Sequence, residues 1–261
     1  MDHGEGAMFT KAIARRPGRS VAEGITAHPE LGKPDYETAL RQHDAYVAAL
    51  ERCGLSVEVL PALEEFPDSC FVEDVAVCAP GLAVVTAPGA RSRAGETEGV
   101  AEVLSRHYAR VERIEAPGTL EGGDVMMVGK IFYVGLSART NRAGFSRFAA
   151  LLESAGYGAI AVPMPPTLHL KTGLSYLEDG WLLVDAGFAE HEEFRDFSRI
   201  MVDPAERYAA NCVRVNERVL VPAGYPKTLA AVRAAGLDPI ELEMSEFRKI
   251  DGGLSCLSLR F

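Results

Sequence analysis

The sequence is poor in the features that mark membrane, secreted and nucleic-acid-binding proteins. No apolar run approaches the roughly 18 residues that a membrane span needs, and the N-terminus lacks the charged-then-apolar pattern of a signal peptide. Positive charge is sparse, since 27 Lys and Arg stand against 37 Asp and Glu and leave a net charge of −10. This charge argues against nucleic acid and membranes as partners. We expect a soluble, cytoplasmic protein.

Cysteine is scarce and scattered. The five cysteines (Cys53, Cys70, Cys78, Cys212 and Cys256) show no CxxC spacing, and their number is odd. This argues against a disulfide framework and a zinc knot, and favours a reducing compartment. The sequence also shows no phosphate cradle, metal cluster or cofactor motif. We therefore expect neither a metal nor a cofactor.

One cysteine has an unusual context. Cys256 follows Gly252-Gly253-Leu254-Ser255 on a short apolar segment, so the backbone around its thiol is open enough for a flat substrate to approach. The segment alone is ambiguous, because a free cysteine packs like a small hydrophobic residue and is usually inert. Cys256 is a candidate nucleophile that needs support from the rest of the chain.

That support begins with a repeated unit. A polar or glycine-containing lead-in precedes a strand-like apolar run five times, and the runs start about 40 to 50 residues apart. The lead-ins are Glu73-Asp74, Gly123-Asp124, Thr172-Gly173, Ala210-Asn211 and Gly252-Gly253. In most units the run continues through a turn into a second run. The turns are typical of hairpins and lie at Pro80-Gly81, Gly129-Lys130, Asp179-Gly180 and Asn216-Glu217.

Helical patterns separate these hairpins, at residues 35–53, 95–107, 142–155 and 226–235. Strands plus a helix at this period are typical of a closed radial array. We predict a five-bladed α/β propeller in which an N-terminal strand at 9–15 completes the fifth unit. The predicted single domain spans 8–261, after a loosely ordered leader at 1–7. The alternative is an ordinary mixed α/β sheet.

In such a ring the lead-ins converge on the central axis. They carry chemically distinct groups, namely Asp68, Glu73, Asp74, Glu121, Asp124, His169 and Cys256. Carboxylates, a histidine and a cysteine at one axis would bind a cation beside a nucleophile–base pair. Each residue is ambiguous alone: His169, between Leu168 and Leu170, resembles a core histidine, and Glu73-Asp74 resembles a solvated turn.

Longer strings carry a family resemblance over residues 8–261. FPDSCFVEDVAV, RSRAGETE, IEAPGTLEGGDVMMVG, LHLKTGLSYLE and EFRKIDGGLSCLSLRF are similar to the guanidine-modifying superfamily and especially to dimethylarginine dimethylaminohydrolases. The resemblance implies a pentein-type propeller of five ββαβ repeats and no cofactor. It implies hydrolysis of Nω,Nω-dimethylarginine and Nω-monomethylarginine to citrulline and an amine, through a covalent thiouronium intermediate on cysteine. It is also compatible with a homodimer.

The resemblance assigns roles residue by residue. Cys256 matches the nucleophile, His169 the general acid and base, and Glu121 the acid beside them. The matching substrate-binding residues comprise acids and an aromatic residue (Asp68, Glu73, Asp74, Phe71), arginines for the α-carboxylate (Arg93, Arg139), and backbone carbonyls (Ile25, Ile250).

Two other functions remain open. Arginine deiminases use the same cysteine, histidine and glutamate, but typically place an aspartate where this chain has Lys171, and read FTRD where it has FVED. A dimethylated nitrogen offers no N–H to such an aspartate, which would be buried unpaired at about 1–3 kcal/mol. An inactive module that binds arginine-like ligands is the other alternative, although it would need no nucleophile–base pair.

The segment from Pro17 to Pro34 is rich in glycine and proline and shows little periodicity. From composition alone, a passive surface connection and a lid over the site are equally compatible with it. Because Ile25 matches a substrate-contacting position of the family, we predict a lid.

Overall fold

Five small sheets make up the fold. The computed structural model describes residues 8–261, and the predicted leader at 1–7 lies outside the described residues. Each sheet has three strands. The strands are, sheet by sheet, β1 (Lys11–Arg15), β2 (Ser56–Leu60) and β15 (Ser258–Arg260); β3 (Ala76–Ala79), β4 (Leu82–Val85) and β5 (Val111–Arg113); β6 (Val125–Val128), β7 (Ile131–Leu136) and β8 (Gly158–Pro163); β9 (Leu174–Tyr176), β10 (Trp181–Val184) and β11 (Ser198–Met201); and β12 (Val213–Val215), β13 (Arg218–Pro222) and β14 (Asp238–Leu242).

Every sheet has the same internal pattern. An antiparallel pair is followed by a third strand that joins the middle strand in parallel, as β6 and β8 do on either side of β7. The predicted hairpin turns are confirmed. Gly81, Gly129, Gly180 and Asn216 all have positive φ, a conformation that glycine and asparagine adopt most readily.

Four helices cover connections to third strands, and two short helices lie in the connections between sheets. The first four are α1 (Tyr36–Arg52), α2 (Val100–Ser105), α3 (Arg142–Glu153) and α5 (Pro226–Ala234), and the other two are α4 (Leu170–Gly173) and α6 (Ser245–Arg248). The Asp35 carboxylate caps α1 by accepting the Thr38 N–H at 2.9 Å, and Asn141 caps α3 in the same way. The helices predicted at 35–53, 142–155 and 226–235 are confirmed. The one predicted at 95–107 is shorter, because a 3-10 turn (Arg91–Thr97) occupies its start.

Apolar side chains fill the spaces between sheets and helices. Helix α1 buries Tyr46 and Leu50 completely, and Phe132 of β7 packs edge-on against Phe148 of α3 with ring centroids 5.7 Å apart. Burial of such side chains stabilises the fold by about 1.5–3 kcal/mol each. Among the described residues, none of the helices combines the length and apolar character needed to cross a bilayer.

The ring closes between the two ends of the described chain. Strand β1 pairs antiparallel with β15, with Ile13 opposite Leu259, and parallel with β2. This confirms the predicted role of the N-terminal strand and rules out one continuous mixed sheet. The first strand of each hairpin lies innermost, since β15 contacts β3, and β9 contacts both β6 and β12.

Each inner strand is preceded by a short helical turn. These turns are Val72–Val75, Gly122–Asp124, α4, Pro204–Ala210 and Ser255–Leu257. The first three contain the predicted lead-ins, the fourth ends within Ala210-Asn211, and the fifth begins two residues after Gly252-Gly253. The Val72–Val75 turn contacts both the Gly122–Asp124 and the Ser255–Leu257 turns. Residues far apart in the sequence therefore meet at the axis.

Candidate active site

A small cavity at the axis gathers the predicted site residues. Its free volume is about 30 Å³. It is lined by ten of the predicted residues, Ile25, Asp68, Phe71, Asp74, Arg93, Glu121, Arg139, His169, Ile250 and Cys256, together with Leu168, Asp251 and Gly252. The predicted convergence of a thiol, an imidazole and carboxylates is therefore observed. Two of the acids expected at the axis, Glu73 and Asp124, lie outside this cavity, and Asp124 instead accepts from the Ser137 and Thr140 hydroxyls and the Leu170 N–H.

Two glycines bring three lead-ins close together. A side chain at Gly122 would overlap the carbonyl oxygen of Glu73, and one at Gly123 would come within 2.6 Å of the His169 Nδ1 atom. The Gly123 N–H instead donates to the Asp74 carboxylate at 2.9 Å. Only glycine allows this approach of one turn to two others, which explains both glycines of LEGGD.

Asp74 is an ionised carboxylate that lines the small cavity. Burial favours its neutral form, but the positive charges of His169 and Arg93 outweigh that cost and lower the pKa of Asp74 to about 2. Its Oδ2 accepts from Arg93 Nη1 at 2.6 Å. A fixed negative charge therefore faces the cavity at neutral pH.

His169 is paired with a buried glutamate. Its Nε2 lies 2.7 Å from Glu121 Oε2, and Glu121 is wholly inaccessible to solvent. Burial lowers the pKa of His169, but the charge of Asp74 and the hydrogen bond to Glu121 raise it, and the outcome is a pKa of about 9. The imidazole is therefore protonated at neutral pH and can act as an acid.

Cys256 is half-buried and uncharged at neutral pH. Burial and the negative charges of Glu73 and Asp74 raise the pKa of its thiol to about 12, although the Gly253 N–H donates to the sulfur at 3.4 Å. The thiol therefore needs a further positive charge to ionise near neutral pH.

A bound guanidinium should supply that charge. An opposite charge within about 4–6 Å commonly moves a pKa by 1–3 pH units, so a cationic substrate analogue is expected to lower the thiol pKa by about that amount. Thiolate absorbance, recorded against pH with a Cys256→Ser protein as the blank, measures the pKa with and without the analogue. An unchanged thiol pKa in the complex would contradict this substrate-assisted ionisation.

Arg93 is more enclosed than the resemblance implies. The guanidinium donates to Glu96 through Nε and Nη2, to Asp74 through Nη1, and to the carbonyls of Asp68 and Phe71 through Nη2. Arg93 is 5% exposed. Its observed contacts therefore hold the turn at residues 68–74 in place, and its predicted contact with a substrate carboxylate stays a prediction.

Glu96 was not predicted. Burial raises its pKa to about 7 despite the ion pair with Arg93 at 2.8 Å. Its position three residues after Arg93, inside a 3-10 turn, is the signal that could have suggested this pair. Arg139 has a freer guanidinium, which lies 3.5 Å from Glu121 Oε1 with 19% of the side chain exposed.

Glu73 faces away from the small cavity. Its carboxylate accepts from Ser255 Oγ at 2.7 Å and pairs with Lys171 at 2.6 Å and with Arg260 at 3.2 Å. It lines a separate cavity together with Lys171, Ser255 and Arg260. The predicted contact between Glu73 and substrate is thus not favoured by this geometry, because three donors already surround the carboxylate.

Asn211 is a second residue that sequence reasoning passed over. Its Nδ2 donates to the Lys171 carbonyl at 2.8 Å and to Ser255 Oγ at 3.0 Å, while its Oδ1 accepts the Ser255 N–H at 2.9 Å. It therefore ties the turn that follows His169 to the turn that carries Cys256. Its place in the fourth lead-in, Ala210-Asn211, was the available signal.

Loss of Asn211 should slow the reaction more than it weakens substrate binding. Asn211 does not line the small cavity, so in Asn211→Ala we expect kcat to fall about 10- to 100-fold through misplacement of Cys256 and His169, with KM changed less than about threefold. Steady-state kinetics on methylated arginine measures both constants.

Gln42→Ala is the matched control for Asn211→Ala. Gln42 is also an amide that is 7% exposed, and it bonds Ser245 and Glu246 without lining either cavity that contains Cys256. We expect Gln42→Ala to lower thermal stability while keeping kcat. Equal losses of kcat in both variants would show that Asn211 has only a structural role.

Two backbone hydrogen bonds hold the Pro17–Pro34 segment over the cavity. The Ile25 N–H donates to Asp68 at 3.0 Å, and the Ala27 N–H donates to Asp251 at 2.7 Å. Gly24 packs against Ile250. Ile25 and Ile250, the two residues predicted to offer backbone carbonyls to the substrate, therefore both border the small cavity.

The cavity could accommodate a small cation. Ligand atoms of Asp74, Glu121 and His169 all lie within 4.8 Å of one another and are buried. Those of Asp74 and Glu121 are already hydrogen-bonded to Arg93 and His169 respectively. The same carboxylates suit a planar guanidinium, which carries N–H donors rather than vacant coordination sites.

These features place the chain among the α/β propellers that include guanidine-modifying enzymes. A solved structure of the N-terminal domain of ArgZ, an arginine dihydrolase from cyanobacteria, has the same fold at 19% identity, with a TM-score of 0.86 over 96% of this chain and 97% of that one. The family model for eukaryotic N,N dimethylarginine dimethylhydrolase matches residues 32–175. The chain belongs to the dimethylarginine dimethylaminohydrolase family.

Two relatives that match this chain over nearly their whole length support the family assignment. N(G),N(G)-dimethylarginine dimethylaminohydrolase from Pseudomonas aeruginosa is 52% identical over 97% of this chain and 100% of the relative. The Streptomyces coelicolor protein of the same name is 39% identical over 96% of each chain. A structure of the Pseudomonas protein, a cysteine-to-serine mutant complexed with citrulline, matches with a TM-score of 0.96 over 98% of this chain and all of that one.

Proposed function

We propose that this protein hydrolyses Nω,Nω-dimethylarginine and Nω-monomethylarginine to citrulline and dimethylamine or methylamine. The observation that carries the proposal is the meeting of Cys256, His169 and two buried carboxylates in one cavity of a chain that belongs to this family. A guanidinium is permanently charged and resists attack by water, so it needs carboxylates to fix it and a strong nucleophile at its central carbon.

In the first half of the reaction the thiol adds to the guanidinium carbon. Asp74 and Glu121 hold the cation, whose charge lowers the thiol pKa so that the thiol releases its proton to solvent. The Cys256 thiolate then forms a bond to the central carbon, and the π electrons of the guanidinium move to nitrogen. The carbon–nitrogen bond to the methylated nitrogen then breaks, and His169 gives its proton to the departing amine. A thiouronium on Cys256 remains.

In the second half water replaces the sulfur. Neutral His169 takes a proton from a water molecule that attacks the thiouronium carbon, and the carbon–sulfur bond breaks. The thiol and the ureido group of citrulline are released. Asp74 and Glu121 stabilise the imidazolium each time it forms, which suits one residue acting as acid and then as base.

We assign the preference for methylated over unmethylated arginine to the presence of Lys171 where arginine deiminases place an aspartate. An aspartate at this position could accept N–H donors of unmethylated arginine, and a dimethylated nitrogen has none to give. The Lys171 ammonium instead pairs with Glu73 at 2.6 Å. We therefore favour the methylarginine hydrolase over an arginine deiminase.

The Pro17–Pro34 segment is assigned the role of a lid. The small cavity has room for only about two water molecules while the Ile25 and Ala27 N–H groups are bonded to Asp68 and Asp251. A methylated arginine is larger than this space, so we assign to the segment a movement that widens the small cavity and then closes over the substrate.

A paired assay tests the proposed function. Citrulline formation by the purified protein is measured with dimethylarginine, monomethylarginine and arginine side by side. We expect the two methylated substrates to be turned over and arginine to be at least about 100-fold slower. Faster turnover of arginine would support the deiminase, and no product from any substrate would support the inactive binding module.

The same proposal covers the setting of the enzyme. The net charge of −10 and the five free cysteines of the described chain support a reducing, cytoplasmic location without nucleic-acid partners. A single catalytic domain over residues 8–261, active as a monomer or a homodimer, is the form to test by light scattering.

A further inference from the structure

The small cavity is not the only space that reaches the sulfur. A second cavity of about 740 Å³ opens beside it. Cys256, His169, Leu168 and Asp251 line both cavities. The two spaces therefore meet at the nucleophile and at the acid that protonates the departing amine.

The two cavities differ in what they offer a substrate. The small one contains the groups assigned to the guanidinium and the amino-acid end, including Asp74, Glu121 and Arg139. Away from the shared Cys256 and His169, the wall of the large one includes residues with no assigned role, among them Leu31, Thr167 and Tyr208. A substrate whose amino-acid end occupies the small cavity presents its reacting carbon at the junction and its leaving nitrogen toward the large cavity.

We infer that the large cavity receives the Nω-substituent, and that the protein hydrolyses arginines whose Nω-alkyl group is larger than methyl, up to at least propyl. This inference rests on the proposed function and extends it to a wider class of substrates. The chemistry is the same: the Cys256 sulfur–carbon bond forms, the carbon–nitrogen bond to the alkylamine breaks, and His169 supplies the proton. The propylamine then leaves through the large cavity.

The volume of the large cavity determines how long an Nω-alkyl group we expect the protein to accept. Its 740 Å³ is within the range of about 300–1,000 Å³ that whole small-molecule sites occupy, far beyond the need of two methyl groups. A closed, methyl-sized pocket would reject each additional methylene by about 10-fold or more. An open cavity exerts no such steric selection.

The mixed charge of the cavity walls favours a neutral substituent. Arg207, Arg248 and Lys171 line the space together with Glu30 and Asp251. Arg248 lies over the Tyr208 ring at 5.3 Å and donates to the Tyr225 hydroxyl. An alkyl chain meets no uncompensated charge here, whereas a second cation would come close to three basic residues.

The test compares kcat/KM for Nω-propyl-L-arginine with that for Nω-monomethyl-L-arginine, which has two fewer methylenes. We expect less than a tenfold difference, because a closed pocket would impose about 100-fold or more. A tenfold or larger preference for methyl would overturn the inference. If neither monomethylarginine nor dimethylarginine is turned over, the proposed function itself fails, so the two failures are distinguishable.

A variant locates the substituent. Leu31 lines the large cavity and not the small one, so Leu31→Trp adds bulk to the large cavity and should lower the propyl-to-methyl ratio of kcat/KM at least fivefold, while the size-matched Leu31→Met keeps that ratio. Leu31 also belongs to the proposed lid, but an effect on lid movement that both substrates share cancels in the ratio. An unchanged ratio in Leu31→Trp would place the propyl group elsewhere and overturn the inference. Turnover of Nα-acetyl-Nω-monomethylarginine together with rejection of the propyl substrate would overturn it as well, since the large cavity would then hold the amino-acid end.

Discussion

Replacing Cys256 with serine is expected to reduce citrulline formation from dimethylarginine by at least about 10⁴-fold. A hydroxyl is much less acidic than a thiol. The charge of a bound guanidinium, which ionises the Cys256 thiol, therefore leaves the serine hydroxyl protonated. Because both halves of the cycle pass through the covalent intermediate, no partial reaction survives. The loss is measured with the citrulline assay at saturating substrate, and the variant should still bind citrulline.

The control for this substitution is Cys212→Ser. Cys212 is also buried, and its thiol donates to the Ala209 carbonyl, a contact that a hydroxyl can reproduce. It does not line the cavity that holds the predicted substrate residues, so activity should stay within about twofold of the parent. Retention of more than about 1% activity in Cys256→Ser would contradict the role of the thiol as nucleophile.

Replacing His169 with glutamine should cost about 10²–10⁴-fold in kcat. Glutamine can keep a hydrogen bond to Glu121 but cannot give a proton to the leaving amine or take one from water. A substrate analogue whose leaving group needs no proton, such as an S-alkyl-thiocitrulline, should still form the covalent adduct in this variant. Mass spectrometry of the protein would detect an adduct that accumulates because its hydrolysis lacks a base.

The pH profile separates this role from a structural one. With a pKa of about 9 in the free protein, His169 is protonated below that pH and loses its acid function above it, so kcat/KM should fall as the pH rises through about 9. Glu121→Gln removes a carboxylate that raises this pKa and should move the fall to lower pH. A basic limb that stays in place in both His169→Gln and Glu121→Gln would contradict the assignment of this limb to His169.

The repeat in the sequence was enough to predict the ring and the location of its chemistry. Hairpins with glycine or asparagine turns, separated by helical patterns, reflect local preferences of the backbone that the fold does not override. The lead-ins that carry Asp74, Glu121, His169 and Cys256 then meet because equivalent strands begin at the same end of each sheet. These predictions depended on periodicity, which a single sequence displays.

The details that the sequence did not reveal depend on contacts between different repeats. Glu73 and Asp74 are adjacent in the chain, yet Asp74 faces the cavity and Glu73 pairs with Lys171 and Arg260 behind it. Asn211 joins two other repeats through hydrogen bonds that no local pattern encodes. Which of two neighbouring acids faces the axis is decided by the geometry of the turn, and the sequence does not display that geometry.

The pairing of β1 with β15 joins the two ends of the described chain by hydrogen bonds and not by a covalent link. Cys256 lies two residues before β15, whereas His169 precedes β9, so the two reacting groups are carried by different sheets. Release of β15 from β1 would remove one strand from one sheet and free the segment that carries Cys256, while the sheet that follows His169 would keep its three strands. Loss of catalytic activity would therefore report opening of the ring while most of the secondary structure is intact.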